Sequence, residues 1–297
     1  SCMKEYYQRV GIPVARYHMV DNYEGCLNFI HEVGYPVVAK PDNGVGASHT
    51  FKISSDEELG NFFANKWDDT VYIMEEFINA EINSYDAIID SHGNPIFEAG
   101  NVTPMSIMDI VNNADNALFY IVKDLADDTR HLGRETAKSF GVRSRFVHFE
   151  FFRLLSDHEG LGKKGDLMAL EVNMRPSGGF TPDMINFAYN INCYQYYADM
   201  MIYDKLRHKT KTSPAFCVYV GRWKEHPYAH THQEILEHWD KYLKVAEELP
   251  EVLAHGMGNY MYLARFESKE QMDTFCQYAL EIKEPEVLPE IPVKKTT

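Results

Sequence analysis

The stretch Leu167-Met168-Ala169-Leu170-Glu171-Val172-Asn173-Met174-Arg175-Pro176-Ser177-Gly178-Gly179-Phe180 decides how this chain is read. Side chains alternate along a β-strand, so Ala169, Glu171, Asn173 and Arg175 are expected on one face and Leu170, Val172 and Met174 on the other. Such alternation usually means the wet face of an antiparallel sheet. The residues after the strand argue for more. The Gly178-Gly179 pair leads into Thr181, Pro182 and Asp183, which fit the N-cap and first two positions of a long helix over about 182–206. Backbone N–H groups at that helix start, beside Arg175, make a place for an anion.

Working backwards, 142–155 reads as a strand joined to 167–174 by a polar loop rich in glycine and lysine. On it Glu150 shares a face with His148 and Phe152, and a hairpin would bring it against Glu171. Glu150, Glu171 and Asn173 then form a hard, oxygen-only donor set suited to Mg²⁺. Earlier still comes Lys40-Pro41-Asp42-Asn43-Gly44-Val45-Gly46-Ala47-Ser48, a lysine ending a short buried strand and a turn of small residues. That pattern suits polyphosphate, and it equally suits a loose β-hairpin. It is neither a Walker A loop nor a Gly-x-Gly-x-x-Gly dinucleotide turn. Between the two regions, Glu75-Glu76-Phe77-Ile78 and Glu81 make an acidic strand end, which alone reads as surface.

Composition limits the partners. The 297 residues are enough for two domains or one large one at about 150 residues each, and 45% apolar content supplies a real core. Forty-four acidic against 29 basic residues leave a net charge of −15 with no basic block, which argues against nucleic acid and anionic bilayers. The apolar runs are strand-sized, so no membrane span is expected. Cys2, Cys26, Cys193, Cys217 and Cys276 form no C-x-x-C pair, which argues against a zinc ribbon or disulfide scaffold and favours a reducing cytoplasm. No signal peptide is visible at the start.

The remaining periodicity predicts helices over 3–10, 22–33 and 130–140, one starting after a Ser55 cap, and strands near 50–53, 71–77, 85–90 and 95–99. From Ser213 the pattern resets to strand (215–221), helix (233–248), strand (259–266) and helix (270–282), followed by a proline-punctuated tail. His226, His230 and His232 flank Pro227, which breaks helical ligand spacing, and they read as a polar loop.

Taken in order, the strand-lysine with its glycine loop, the Glu-Glu-Phe-Ile segment, the Glu150 strand and Glu171-x-Asn173-x-Arg175 resemble the ATP-grasp superfamily. Gly11-Ile12-Pro13-Val14 and Arg175-Pro176-Ser177-Gly178-Gly179 look like its carbamoyl-phosphate-synthase-like and amino-acid-ligase-like branch. The resemblance spans roughly residues 1–205. It implies an α/β chain whose two α+β lobes grip a nucleotide: an ATP-grasp domain over 1–210, with a nucleotide-gripping lobe near 20–80, a small C-terminal α/β module over 211–284 and a tail over 285–297.

The resemblance implies ATP and Mg²⁺ as cofactors and carries roles to matching positions. Lys40 would contact the α- and β-phosphates under a loop that includes Asn43, Gly44, Gly46 and Ser48. Glu75, Glu76, Phe77 and Ile78 would form the adenine hinge, and Glu81 would sit near the ribose. Glu150, Glu171 and Asn173 would ligate the metal, with Glu171, Asn173 and Arg175 serving the chemistry. The implied reaction is ligation of a carboxylate to an amine, ammonia or thiol through an acyl phosphate. The alternatives are a non-catalytic nucleotide-binding module, or a fragment of a larger ligase, and a phosphotransferase. Small-molecule carboxylate and amine partners are implied, and a homodimer is compatible with the family. One departure stands out. In the family another nucleotide-contacting lysine begins the helix before the Gly-Ile-Pro segment, and this chain is expected to start beyond it.

Overall fold

The computed structural model describes residues 2–43, 49–66, 69–104, 116–208 and 211–283. Gly44, Gly46 and Ser48, together with the tail, lie outside the described residues. The first part of the chain runs α1 (Cys2–Arg9), β1 (Tyr17–Met19), α2 (Tyr23–Val33), β2 (Val37–Pro41), β3 (Phe51–Ile53), α3 (Asp56–Asn65) and β4 (Tyr72–Glu76). Its four strands form an antiparallel sheet in the order β1-β4-β2-β3. Both helices over it start where side chains cap them. Asn22 accepts from the Gly25 N–H at 2.9 Å, and Ser55 accepts from the Glu58 N–H at 3.2 Å. Their apolar faces (Cys26, Phe29, Ile30, Leu59, Phe62) close on Val37, Ala39, Tyr72 and Met74. Each fully buried large side chain there contributes about 1.5–3 kcal/mol.

The rest of the strands make one sheet. β5 (Ala80–Ile89), β6 (Pro95–Ala99), β7 (Asn101–Thr103), β8 (Leu118–Ile121), α4 (Asp127–Ser139), β9 (Arg145–Leu154) and β10 (Leu167–Asn173) are followed by α5 (Thr181–Tyr189) and α6 (Cys193–Tyr203). The chain then continues with β11 (Phe216–Arg222), α7 (His232–Trp239), β12 (Leu243–Glu248), α8 (Glu251–Met257), β13 (Tyr260–Phe266) and α9 (Lys269–Leu280). The order across this sheet is β10-β9-β5-β7-β8-β11-β13-β12, with β6 alongside β5. The α/β unit over 211–283 therefore joins its strands to the large sheet through the antiparallel β8–β11 pair. One face of the sheet packs on α1 and α4 through Tyr7, Tyr85, Ala137 and Phe149. The opposite face packs on α5 and α6 through Ile88, Phe146, Met184 and Tyr196.

Several expectations need correction. The long helix over 182–206 is two helices, because Asn190 turns left-handed (φ 53°) and Asn192 caps a new start by accepting from the Gln195 N–H at 3.0 Å. The N-cap of α5 is Phe180, one residue earlier than expected, with Pro182 in the first turn. The helix expected over 233–248 stops at Trp239, and Leu243–Glu248 becomes a strand because β13 offers it an edge to pair with. Residues Glu251–Met257, where the pattern predicts no element, are helical. The alternation along β10 is broken by a bulge between Ala169 and Glu171. Ala169 therefore joins the core on the α1 face, while Glu171 and Asn173 point to the other face.

Candidate active site

Register builds the site. Glu171 pairs with Glu150 across β10–β9, and Asn173 pairs with His148. On the other side of β9, Ser84 pairs with Glu150 and Asp86 with His148. Paired residues share a face, so Glu171, Asn173, Glu150, His148, Ser84 and Asp86 line one side of three adjacent strands. The bulge is what makes this possible, since without it Glu171 would face α1.

Two carboxylates brought together in this way cannot both ionise cheaply. Burial and then the charge of Glu150 push Glu171 above the ordinary carboxylate range. Burial opposes ionisation of Glu150 as well, but hydrogen bonding and charge from His148 outweigh it and hold Glu150 low. His148 is 5% exposed. Its Nδ1 lies 2.8 Å from Asp86 Oδ1 and its Nε2 lies 3.2 Å from Glu150 Oε1. Burial disfavours its charged form, yet the two carboxylates prevail and push its pKa up to about 10.

Lys40 of the small sheet and Lys4 of α1 supply the opposite charge. Glu75, at the end of β4, accepts from Lys40 Nζ at 3.0 Å and from Lys4 Nζ at 3.1 Å. Burial would raise its pKa, but the two lysines pull it below the ordinary value. Burial, with Lys40 adding to it, lowers Lys4. Lys4 comes from α1, where it is 7% exposed on the same buried face as Tyr7. The charge of Lys40 acts on both Glu150 and Glu171, so Lys40 and the carboxylate pair belong to one electrostatic neighbourhood.

The other predicted residues fall as follows. Glu76 is taken up by Arg16, which donates from Nη2 at 2.6 Å, from Nε at 2.9 Å and from its backbone N–H at 2.6 Å, and it ties residues 15–17 to the end of β4. Phe77 and Ile78 form the connection from β4 to β5. Ile78 is buried beside Ala15, Leu154 and Met168, an apolar cluster on the carboxylate side of the large sheet. Asn43 is exposed two residues beyond β2. Glu81 pairs with Arg153 on the sheet face away from Glu150 and accepts from Asn83 Nδ2 at 3.0 Å, so the structure does not bring it to the cluster. Arg175 is exposed beyond β10, and its Nη1 donates to Pro176 O at 2.9 Å. His230 and His232 go to Glu281 and Tyr262, and among the described residues these histidines gather with no third ligand.

Sequence reasoning misses Asp86, Ser84, Lys4 and Arg16. It puts His148 on the correct face, but the partner Asp86 lies 62 residues away, and only the β5–β9 register reveals it. The donor set fits a divalent cation. Two half-buried carboxylates lie side by side with Asn173 on the same face, and the like-charge conflict that raises Glu171 is one that a cation relieves. The paired lysines over a single glutamate leave one positive charge in excess beside it, which suits a phosphate chain.

No family model matches the chain. The L-arginine-specific L-amino acid ligase of Bacillus subtilis is 23% identical over 209 residues, covering 68% of this chain and 48% of that protein. The chain thus spans about half the length of the curated relative it matches. The crystal structure of L-amino acid ligase from Bacillus licheniformis superposes with a TM-score of 0.66 at 15% identity, covering 93% of this chain and 68% of that one. The biotin carboxylase domain of Hydrogenobacter thermophilus 2-oxoglutarate carboxylase was solved with MgADP, ADP and bicarbonate. It gives a TM-score of 0.62 at 14% identity, over 89% of this chain and 61% of that one. With its small antiparallel lobe, its large sheet carrying Glu150 and Glu171, and these structural relatives, the chain has the ATP-grasp fold.

Proposed function

We propose that this chain catalyses ATP- and Mg²⁺-dependent ligation of a carboxylate to an amine, releasing ADP and phosphate. The observation that carries the proposal is the register of Glu171 with Glu150 on one sheet, within electrostatic reach of Lys40 on the other. In this reading a carboxylate oxygen attacks the γ-phosphorus of ATP, the bond to the ADP oxygen breaks, and an acyl phosphate forms. The amine then attacks the acyl carbon, phosphate leaves with the electron pair, and the amine gives up a proton. Phosphoryl transfer asks mainly for positioning and charge neutralisation.

Lys40 and Lys4 offset phosphate charge, and Ile78 with Leu154 and Met168 offers an apolar bed for the base. Glu150, Glu171 and Asn173 would hold Mg²⁺, which supplies charge neutralisation at the transferring phosphoryl group. Arg175, with the N–H groups opening α5, would grip the carboxylate substrate through the planar fork of its guanidinium.

The test is a screen of purified protein with ATP, Mg²⁺ and pools of amino acids and ammonia, reading ADP and free phosphate. Release that requires both a carboxylate and an amine supports ligation. ADP formation with phosphate retained on the substrate would instead identify a phosphotransferase, and tight ATP binding without turnover would identify a binding module.

A further inference from the structure

A buried polar chain leads away from the proposed metal carboxylates. Glu150 Oε1 lies 3.2 Å from His148 Nε2, and His148 Nδ1 lies 2.8 Å from Asp86 Oδ1. Asp86 Oδ2 accepts from Ser84 Oγ at 2.5 Å, and Ser84 Oγ accepts from the Asn101 N–H at 3.0 Å. Ser84, Asp86 and His148 are 3%, 0% and 5% exposed. Phe146 and Phe152 lie two and four residues from His148 and Ile88 lies two from Asp86, all on this same face, and they show that apolar side chains fill such positions readily. A buried string of polar groups is expensive unless each is satisfied, and packing would be served as well by another hydrophobe. This string is satisfied along its length, and it ends on one carboxylate oxygen of the site.

We propose that His148 is a positioning residue. Held through Nδ1 by Asp86, it fixes the Glu150 carboxylate in the orientation a divalent cation requires. Asp86 in turn is oriented by Ser84, whose hydroxyl is pinned by the β7 backbone. The proposal rests on the reading that Glu150 and Glu171 hold the metal. It goes beyond that reading in making residues that touch neither metal nor nucleotide determine the site's metal affinity. Partners of metal-ligating carboxylates and imidazoles typically alter metal affinity by about 10–100-fold when removed.

The probe is Mn²⁺, whose binding to the protein with ADP is read by electron paramagnetic resonance. ADP binding in EDTA and thermal melting are measured on the same samples. A glutamine amide reaches where Nε2 sits, and an asparagine amide reaches only where Nδ1 sits. His148→Asn is therefore expected to weaken Mn²⁺ binding by about tenfold or more while leaving metal-free ADP affinity within about twofold. His148→Gln should recover most of the loss, and Asp86→Asn should fall between the two. If His148→Asn does not melt cooperatively, His148→Gln and Asp86→Asn still decide the matter. Wild-type Mn²⁺ affinity in His148→Asn, or in both of the other variants when it does not fold, overturns the proposal. If the wild-type protein binds ADP but takes up no Mn²⁺ with it, the metal reading itself fails, and the positioning role fails with it.

Discussion

Beside the small sheet one acid, Glu75, lies between two bases, and the large sheet sets three acids, Glu150, Glu171 and Asp86, beside one protonated imidazole. In the first cluster Glu75 is ionised and the lysines leave a positive excess. In the second, Glu171 is pushed toward its neutral form and negative charge is in excess. Either arrangement alone is an ordinary buried ion-pair network, which is weak evidence for function. Together, with Lys40 acting on both, they set positive charge against negative, and a metal–polyphosphate is a ligand with the matching polarity. The position of the charges matters here, and their number does not.

The largest expected effect breaks the negative side. Glu171→Gln removes charge and keeps shape, and turnover should fall by about 100-fold or more with metal-free nucleotide affinity nearly unchanged. Steady-state rates alongside ADP titration check this, and unimpaired turnover would remove Glu171 from the site. Breaking the positive side with Lys40→Met should cost nucleotide affinity itself, about tenfold or more, with or without metal. Calorimetric titration with ADP in EDTA reads it.

Arg175→Lys tests whether the carboxylate substrate belongs to the same site. Lysine keeps the charge but loses the two-pronged grip, so kcat/KM for the carboxylate should fall by about tenfold, or about 1.4 kcal/mol, with ATP affinity little changed. An equal loss for every ATP-dependent step would place Arg175 on the phosphate instead.

The smallest effect comes from a control. Glu98 also sits between two bases, accepting from Arg130 Nη1 at 3.0 Å and Arg134 Nη2 at 2.6 Å, but it is joined to Tyr85 on the α1 and α4 side of the large sheet. Burial pushes it up, and the arginines and Tyr85 outweigh burial and hold it below the ordinary value. Because both arginines are substantially exposed, screening reduces the gain to about 1–2 kcal/mol. A lowered carboxylate pKa stabilises above the unfolded value of about 4.3 and loses that gain as pH falls through the folded value. The melting-temperature gap between wild type and Glu98→Gln should be full at pH 7 and close below about pH 4, with turnover unaffected. A turnover defect in that variant would mean that an acid between two bases matters wherever it sits.

Much of this arrangement is legible in the sequence because it is local. The Ser55 and Asn22 caps, the Lys40 strand and the alternation around Glu150 depend on residues within a turn or two of each other. The part that escapes is non-local. The bulge that turns Glu171 away from Ala169 depends on pairing with β9, and Asp86 reaches His148 only through strand register. Leu243–Glu248 gives way to a strand because β13 has a free edge, a demand no local propensity encodes. The break at Asn190 and Asn192 is visible as two left-handed-tolerant, capping residues close together, and the continuous apolar spacing masks it.

Titrating ADP into wild type, Lys40→Met and Glu171→Gln, each with and without Mg²⁺, tests the two-sided site most directly. Mg²⁺ should tighten ADP binding in wild type, and Glu171→Gln should keep the metal-free affinity but lose the tightening. Lys40→Met should lose affinity under both conditions. If the two variants lose the same quantity under the same conditions, or if Mg²⁺ tightens binding equally in all three proteins, the division of labour between the two sheets is contradicted.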